Sequence, residues 1–234
     1  MAMRRDAPDN FTPSRPKQLR WEPATILAAL EPLLTDERRQ RITSVISARS
    51  LAVAPVLDGL IDPHNVSAVL RSADAFGIQE VHVISRGENC LASPRVAQGS
   101  ERWVDVVEHR SAADCVDALR RRGHRVYVAA MNGDLRPEAL ADEPKPAIVF
   151  GNERDGVSQE LYDLADGTYT IPMQGFVQSL NVSVAAAITL FAAMRGRPGD
   201  LDTEQREQLR ARFCMLSVPR GDEILAEVLR RRES

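Results

Sequence analysis

Three short segments carry side chains suited to gripping a polar ligand. The first runs from Asp62-Pro63-His64-Asn65 through Arg71. Arg71 offers a planar, permanently charged fork, the right shape for a phosphate or a ribose oxygen. It also stands three residues before Asp74, and in a lone helix a solvated i,i+3 ion pair is the more ordinary reading. Asn65 reads as the N-cap of the helix that follows, its side-chain oxygen taking an orphan amide. His64 reads as a turn residue rather than a base. The second segment is Phe150-Gly151-Asn152-Glu153-Arg154-Asp155-Gly156, an apolar run entering a glycine-bounded turn. It is either ordinary turn chemistry or a place where a ligand nears the Gly151 backbone while Glu153 points inward. In the third, Ile171-Pro172-Met173 ends a strand, and Ser179-Leu180-Asn181-Val182-Ser183 opens a helix of small residues. Ser179 is placed either as a cap or as a ligand group, and amides at a helix start suit polar ligands. Neither GxGxxG nor GxxxxGK[ST] occurs, so a dinucleotide crevice and a P-loop lack support.

The elements that must hold these segments alternate. Apolar runs predict strands over 51–57, 80–84, 104–107, 125–130, 147–151 and 168–171, and helical periodicity predicts helices over 66–76, 112–122, 158–164 and 180–194. In the first helix Val66, Val69, Leu70, Ala73 and Phe76 make the buried stripe. Gly77, Gly123 and Gly167 stand where helices should stop. Such alternation specifies an α/β domain with a mainly parallel sheet covered on both faces. Ligands then lie beyond the carboxyl ends of strands, which directs attention to the loops after Ala130, Gly151 and Ile171. Helical patterns flank this unit, over about 24–50 on one side and over 203–216 and 222–232 on the other. The expected division is 1–50, an arm and helical extension; 51–196, the α/β domain; and 197–234, a C-terminal helical extension.

Composition bounds the answer without choosing it. The 234 residues are 44% hydrophobic and 27% charged, an ordinary globular mixture. The start, MAMRRDAPDNF, has no apolar core of a leader, and the longest apolar stretch, 182–194, is shorter than a membrane span. Cys90, Cys115 and Cys214 show neither CxxC nor another metal-ligand spacing, and read as reduced thiols of a cytoplasmic chain with no metal. The formal charge of −3 divides unevenly: +3 over 1–50, −7 over 51–194 and +1 over 195–234. Only Lys17 and Lys145 of the thirty basic residues are lysine. Arginine-rich ends are compatible with phosphate contacts and equally with solvated helices.

Taken together and in order, Asn65-x5-Arg71, Phe150-Gly151-Asn152-Glu153, and Ile171-Pro172-Met173 followed by Ser179-Leu180-Asn181-Val182-Ser183 resemble the SPOUT superfamily, in its SpoU (TrmH) branch of RNA ribose methyltransferases. The resemblance covers about 51–195. Through Gly99-Ser100-Glu101-Arg102-Trp103 and Gly123-His124-Arg125-Val126-Tyr127 it is strongest towards members acting on a tRNA guanosine. It implies an α/β fold with a deep C-terminal trefoil knot, an exception to unthreaded topology, and a homodimer with its site near the interface. It implies S-adenosyl-L-methionine as cofactor, held by Ala129, Gly151, Ile171, Met173 and Leu180, largely through backbone and apolar contact. Ala129 departs from the threonine common in that branch, so any hydroxyl contact there would be lost. It implies Arg71 as the central catalytic residue with Asn65, Glu153, Ser179 and Asn181 around it, and a tRNA substrate methylated on the 2′-oxygen of guanosine 18 in the D-loop. RNA, and neither DNA nor a membrane, is the implied partner. Arg4, Arg5, Arg15, Lys17, Arg20, Arg38, Arg39, Arg41 and Arg230 to Arg232 are candidate RNA contacts.

A ribosomal RNA methyltransferase of the same branch is the nearest rival, and the short N-terminal extension favours tRNA over it. A non-catalytic RNA-binding protein is a second rival, disfavoured by the intact five-residue set. A nucleotide-binding oxidoreductase is the most distant.

Overall fold

The computed structural model describes residues 19–60, 62–85, 102–152 and 154–232. Six strands form one sheet: β1 (Ala54–Asp58), β2 (Glu80–Ile84), β3 (Asp105–His109), β4 (Arg125–Ala129), β5 (Pro146–Gly151) and β6 (Gly167–Tyr169). Their order is β3-β2-β1-β5-β4-β6 and every pairing is parallel. β1 is buried throughout and β5 in all but its last residue, as strands covered on both faces require. The order reverses between β1 and β5, where Asp58 pairs with Gly151 at the carboxyl ends. Parallel sheets open a ligand crevice at such a reversal.

Helices α3 (Pro63–Ala75) and α6 (Val182–Met194) cover one face together with a 3-10 turn at Pro137–Ala141. Helices α4 (Ala112–Arg121) and α5 (Gln159–Leu164) cover the other. Helices α1 (Pro23–Leu30), α2 (Asp36–Ser47), α7 (Thr203–Ser217) and α8 (Gly221–Arg232) build a second apolar cluster around Ile26, Leu30 and Phe213, so the helices before and after the sheet pack on each other. That cluster is joined to the sheet by a buried ion pair between Arg212 of α7 and Asp105 of β3. Arg49, also buried, binds the carboxylate of Asp74 and donates to the Ile78 carbonyl at 3.2 Å. Asp74 is thereby paired with Arg49 and not with Arg71.

The predicted elements are present, with boundaries shifted by local chemistry. Helix α3 starts at Pro63, three residues early, because Asp62 supplies the N-cap by accepting from the His64 amide at 2.9 Å. Gly77 and Gly123 take positive φ after α3 and α4, as expected. Gly167 does not cap α5. It opens β6, and its missing Cβ makes room for the Tyr127 ring, 2.9 Å from where that atom would lie.

The most confining contact is a backbone crossing. The β6 end is held on one side by the Ala130 amide donating to the Tyr169 carbonyl at 2.8 Å. On its other side Leu135 donates to the Thr168 carbonyl at 3.1 Å and accepts from the Thr170 amide at 2.9 Å. One loop, 130–135, thus satisfies both edges of the strand. It passes so near that a Cβ on Gly133 would sit 2.3 Å from the Tyr169 carbonyl carbon. Gly133→Ala should lower stability by about 1–3 kcal/mol through forced displacement of backbone. Gly175→Ala, where nothing lies within 4 Å of the added atom, should leave it unchanged. Equal melting temperatures for the two variants would refute this account of the crossing.

Candidate active site

The carboxyl ends of β5, β4 and β6 lie side by side and bring the second and third segments together. Ala129 ends β4, Gly151 ends β5 and Ile171 follows β6 by two residues. Ala129, Gly151, Ile171 and Leu180 are half-buried, and Met173 is exposed. A half-buried apolar rim with backbone groups at three strand ends fits a ligand with a flat heterocycle and polar edges. It fits S-adenosylmethionine in that sense. The Ala129 carbonyl already accepts from the Tyr162 hydroxyl at 3.4 Å.

Gly151 is required for a reason other than ligand approach. A Cβ there would lie 2.2 Å from the backbone of Gly156 and Val157, because the chain folds straight back on itself. The fold-back is a tight turn in which Asn152 and Gly156 exchange both backbone hydrogen bonds at 3.0 Å. The Asn152 side chain fastens it by accepting from the amides of Arg154 and Asp155 at 2.7 and 2.9 Å. Glu153 lies outside the described residues, as do Cys90 and the stretch Gly99-Ser100-Glu101.

The first and third segments meet through one hydrogen bond. Asn181 Nδ2 donates to Asn65 Oδ1 at 3.1 Å across 116 residues of sequence. Asn65 is therefore not the N-cap. It occupies the first turn of α3, buried to 8% exposure, facing α6. Asn181, rather than Ser179, caps α6, its Oδ1 accepting from the Ser183 amide at 2.9 Å and hydroxyl at 2.6 Å. The helix consequently begins at Val182, and Ser179 is left exposed in the loop before it.

Arg71 stands apart. It is exposed, and among the described residues it makes no ion pair or hydrogen bond. Six residues beyond Asn65, it lies about 9 Å along α3 and about 120° around it. Its charge is thus free for an outside group. Two further residues escaped the sequence reading. Asp58, fully buried at the end of β1, accepts from the Ser158 amide at 2.9 Å and so ties the fold-back turn to the sheet. Met131, beside the site, is 75% exposed. An acid ending an apolar run, Val56-Leu57-Asp58, was the available signal for the first.

The terminal arginines divide. Arg38 donates to Ser217 and lies over Trp103, Arg39 binds Asp36 and two carbonyls, and Arg231 binds Glu227. Arg20 lies over Trp21, beside Arg102 and Arg220 in a groove of about 980 Å³ that Asp222 and Glu223 also line. Arg4, Arg5, Arg15 and Lys17 are outside the described residues.

Comparison with known proteins matches these features. The profile of the SpoU rRNA methylase family covers residues 52–191. A tRNA (guanosine(18)-2′-O)-methyltransferase of Thermus thermophilus is 42% identical over 164 residues, 70% of this chain and 84% of its own. Among solved structures, the TrmH/SpoU tRNA modifying enzyme of Aquifex aeolicus superposes with a TM-score of 0.69 at 26% identity, over 79% of this chain and 98% of that one. The SpoU methyltransferase AviRb of Streptomyces viridochromogenes, solved with AdoMet, gives a TM-score of 0.55 at 26% identity, over 65% and 60%. With the profile spanning the sheet, the fold-back turn and the start of α6, the chain belongs to the SpoU methylase family.

Proposed function

We propose that this protein transfers a methyl group from S-adenosylmethionine to the ribose 2′-oxygen of a tRNA guanosine, guanosine 18 of the D-loop. The observation that carries the reading is the Asn65–Asn181 bond, which unites the first and third segments beside the strand ends. The Thermus relative's name supplies the nucleotide. Ala129, Gly151, Ile171, Met173 and Leu180 hold the cofactor, which when bound supplies an electrophilic methyl on a sulfonium. The protein's remaining task is to align the 2′-oxygen and accommodate its charge as the proton leaves.

Arg71 is suited to that task as a cation, not as a base, since a guanidinium essentially never gives up its proton. Its fork fixes a phosphate or the ribose oxygen and stabilises developing alkoxide character. Exposed Ser179 and the amides of Asn65 and Asn181 orient the nucleotide, with Glu153 completing the set. The looped crossing at Tyr169 supports a knotted chain, and we take 51–196 as the methyltransferase domain with 1–50 and 197–234 as its helical extensions. The groove at Arg20, Arg102 and Arg220 supports RNA docking on those extensions. No helix among the described residues is long and apolar enough to cross a membrane, and a tRNA substrate goes with a cytoplasmic location.

The outer face of α6 supports a homodimer. Its inner face is buried at Val182, Ala186, Leu190 and Ala193, while Val184, Ile188 and Phe191 line the outer face at 47%, 41% and 64% exposure. Phe191 meets Phe76 of α3 at 5.7 Å, so the apolar face continues from α6 onto the helix bearing Arg71. Pairing two copies there would cover the apolar surface that α6 shares with the end of α3.

Unmodified tRNA and ribosomal RNA, offered with methyl-labelled cofactor and mapped by nucleoside digestion, should give 2′-O-methylguanosine in the tRNA D-loop. Label in a base, or only in ribosomal RNA, would overturn the assignment. Arg71→Lys, which keeps the charge and loses the fork, should cut turnover at saturating RNA by about 100-fold or more, with cofactor affinity nearly intact. Wild-type turnover in that variant would rule out fork positioning. Ile188→Glu and Phe191→Asp should convert a dimer to monomers in light scattering, whereas a wild-type chain already monomeric at micromolar concentration would exclude the dimer.

A further inference from the structure

The sheet half formed by β2 and β3 holds a buried polar cluster that the methyl-transfer site does not use. His82 projects from β2, His109 ends β3, and Cys115 lies in the first turns of α4, all three buried. The two rings meet edge to edge, centroids 5.2 Å apart and planes inclined by 21°, with His82 Nδ1 2.9 Å from His109 Nε2. One donor atom from each of the three residues lies within 4.8 Å of the other two. Ile84, Ala112 and Val116 pack in the same cluster as Cys115, while Glu80, Arg122 and Asp114 lie close to the histidines.

A simple imidazole pair leaves part of this arrangement unexplained. His82 Nε2 is buried without a hydrogen-bond partner, with the Glu80 carboxylate 3.8 Å away. An unsatisfied polar atom in the interior costs about 1–3 kcal/mol. A metal ion on Nδ1 would fix the ring's remaining proton at Nε2, directed at Glu80. At 3.8 Å Glu80 makes no hydrogen bond to Nε2, and a small closing shift on metal binding would give the ligating imidazole the carboxylate partner that orients such rings. Two imidazoles and a thiol are also the donor mixture that a borderline cation prefers.

We propose that His82, His109 and Cys115 form a structural zinc site pinning β2, β3 and α4 together. Zinc replaces the hydrogen bond between the rings, and the Cys115 thiol releases its proton to solvent as the sulfur binds. Nitrogens at tetrahedral zinc stand about 3.3 Å apart, so the pair opens by a few tenths of an ångström and the sulfur closes in. A water takes the fourth position. Glu80, which Arg122 holds at 2.5 Å, lies beyond the Nε2 side of the His82 ring. Spacing along the chain could not reveal the site, because residues 82, 109 and 115 converge only through the parallel pairing of β2 with β3.

The test uses the full chain without a histidine tag, reduced and stripped with a chelator, then titrated with cobalt(II). One equivalent should produce ligand-field bands in the visible and a thiolate-to-cobalt charge-transfer band in the near ultraviolet, both abolished by zinc. Zinc should also raise the melting temperature. Cys115→Ser should lose the charge-transfer band, and His109→Gln should weaken cobalt binding, with circular dichroism confirming that each remains folded. Absence of these bands in the wild-type chain at stoichiometric cobalt would overturn the proposal, even if a variant failed to fold. A charge-transfer band unchanged in Cys115→Ser would overturn it too, by assigning the thiolate to another cysteine. Methyl transfer is not the readout, so failure of the zinc site and failure of the RNA reading are separable.

Discussion

Backbone amides and carbonyls buried away from water must find partners, and at the end of β6 this requirement shapes everything nearby. The three residues 168–170 spend their hydrogen bonds on β4 at one edge and on the 130–135 loop at the other. Thr168 and Thr170 add side-chain bonds to Asp134 and to the Met131 carbonyl at 3.0 and 3.1 Å. The exits of β4 and β6 are therefore fixed relative to each other before any ligand arrives. Ile171 and Met173 inherit their positions from that arrangement, and Ala129 sits at its root. Preorganised backbone of this kind suits recognition by main-chain groups, which need no side-chain ordering when the ligand binds.

The second fixed relation joins the helices. The Asn65–Asn181 bond sits where α3 and α6 begin, on the same side of the sheet as the strand ends. Each amide carries both a donor and an acceptor, and Asn181 uses both, donating to Asn65 and accepting from Ser183. Asn181 does two jobs at once, stopping the loop from 171 and starting α6. The fold-back turn is tied from below by Asp58. Arg71 is left exposed, a long side chain on α3.

Much of this was legible in the amino-acid order because it depends on local rules. Alternation of apolar runs with helical stripes specified a parallel sheet, and β2 appears at its predicted bounds. The ordered segments also named residues that the fold brings together, Asn65 with Asn181, and Ala129 with Gly151 at neighbouring strand ends. What was not legible depends on contacts distant in sequence. Asn65 looked like a cap because asparagine before a helix usually is one, yet Asp62 reached the amides first and released Asn65 for Asn181. Asp74 looked like a partner for Arg71, but Arg49, twenty-five residues upstream, takes it in the interior. Gly167 looked like a helix stop and instead accommodates an aromatic ring from β4. Gly151 invited a ligand explanation, and the chain's own return path supplied a nearer one.

The pairing of β6 with Leu135 bears on how this molecule keeps to itself. A strand at the margin of a sheet ordinarily presents a ladder of unused amides and carbonyls, onto which a strand from a neighbouring molecule can add. Although β6 is last in the sheet order, it is three residues long and its outward-facing groups at Thr168 and Thr170 are already consumed within the chain. The margin nearest the ligand crevice is thus closed to intermolecular strand addition, and crowding of exposed Met131, Met173 and Phe176 beside it need not nucleate fibrillar assembly.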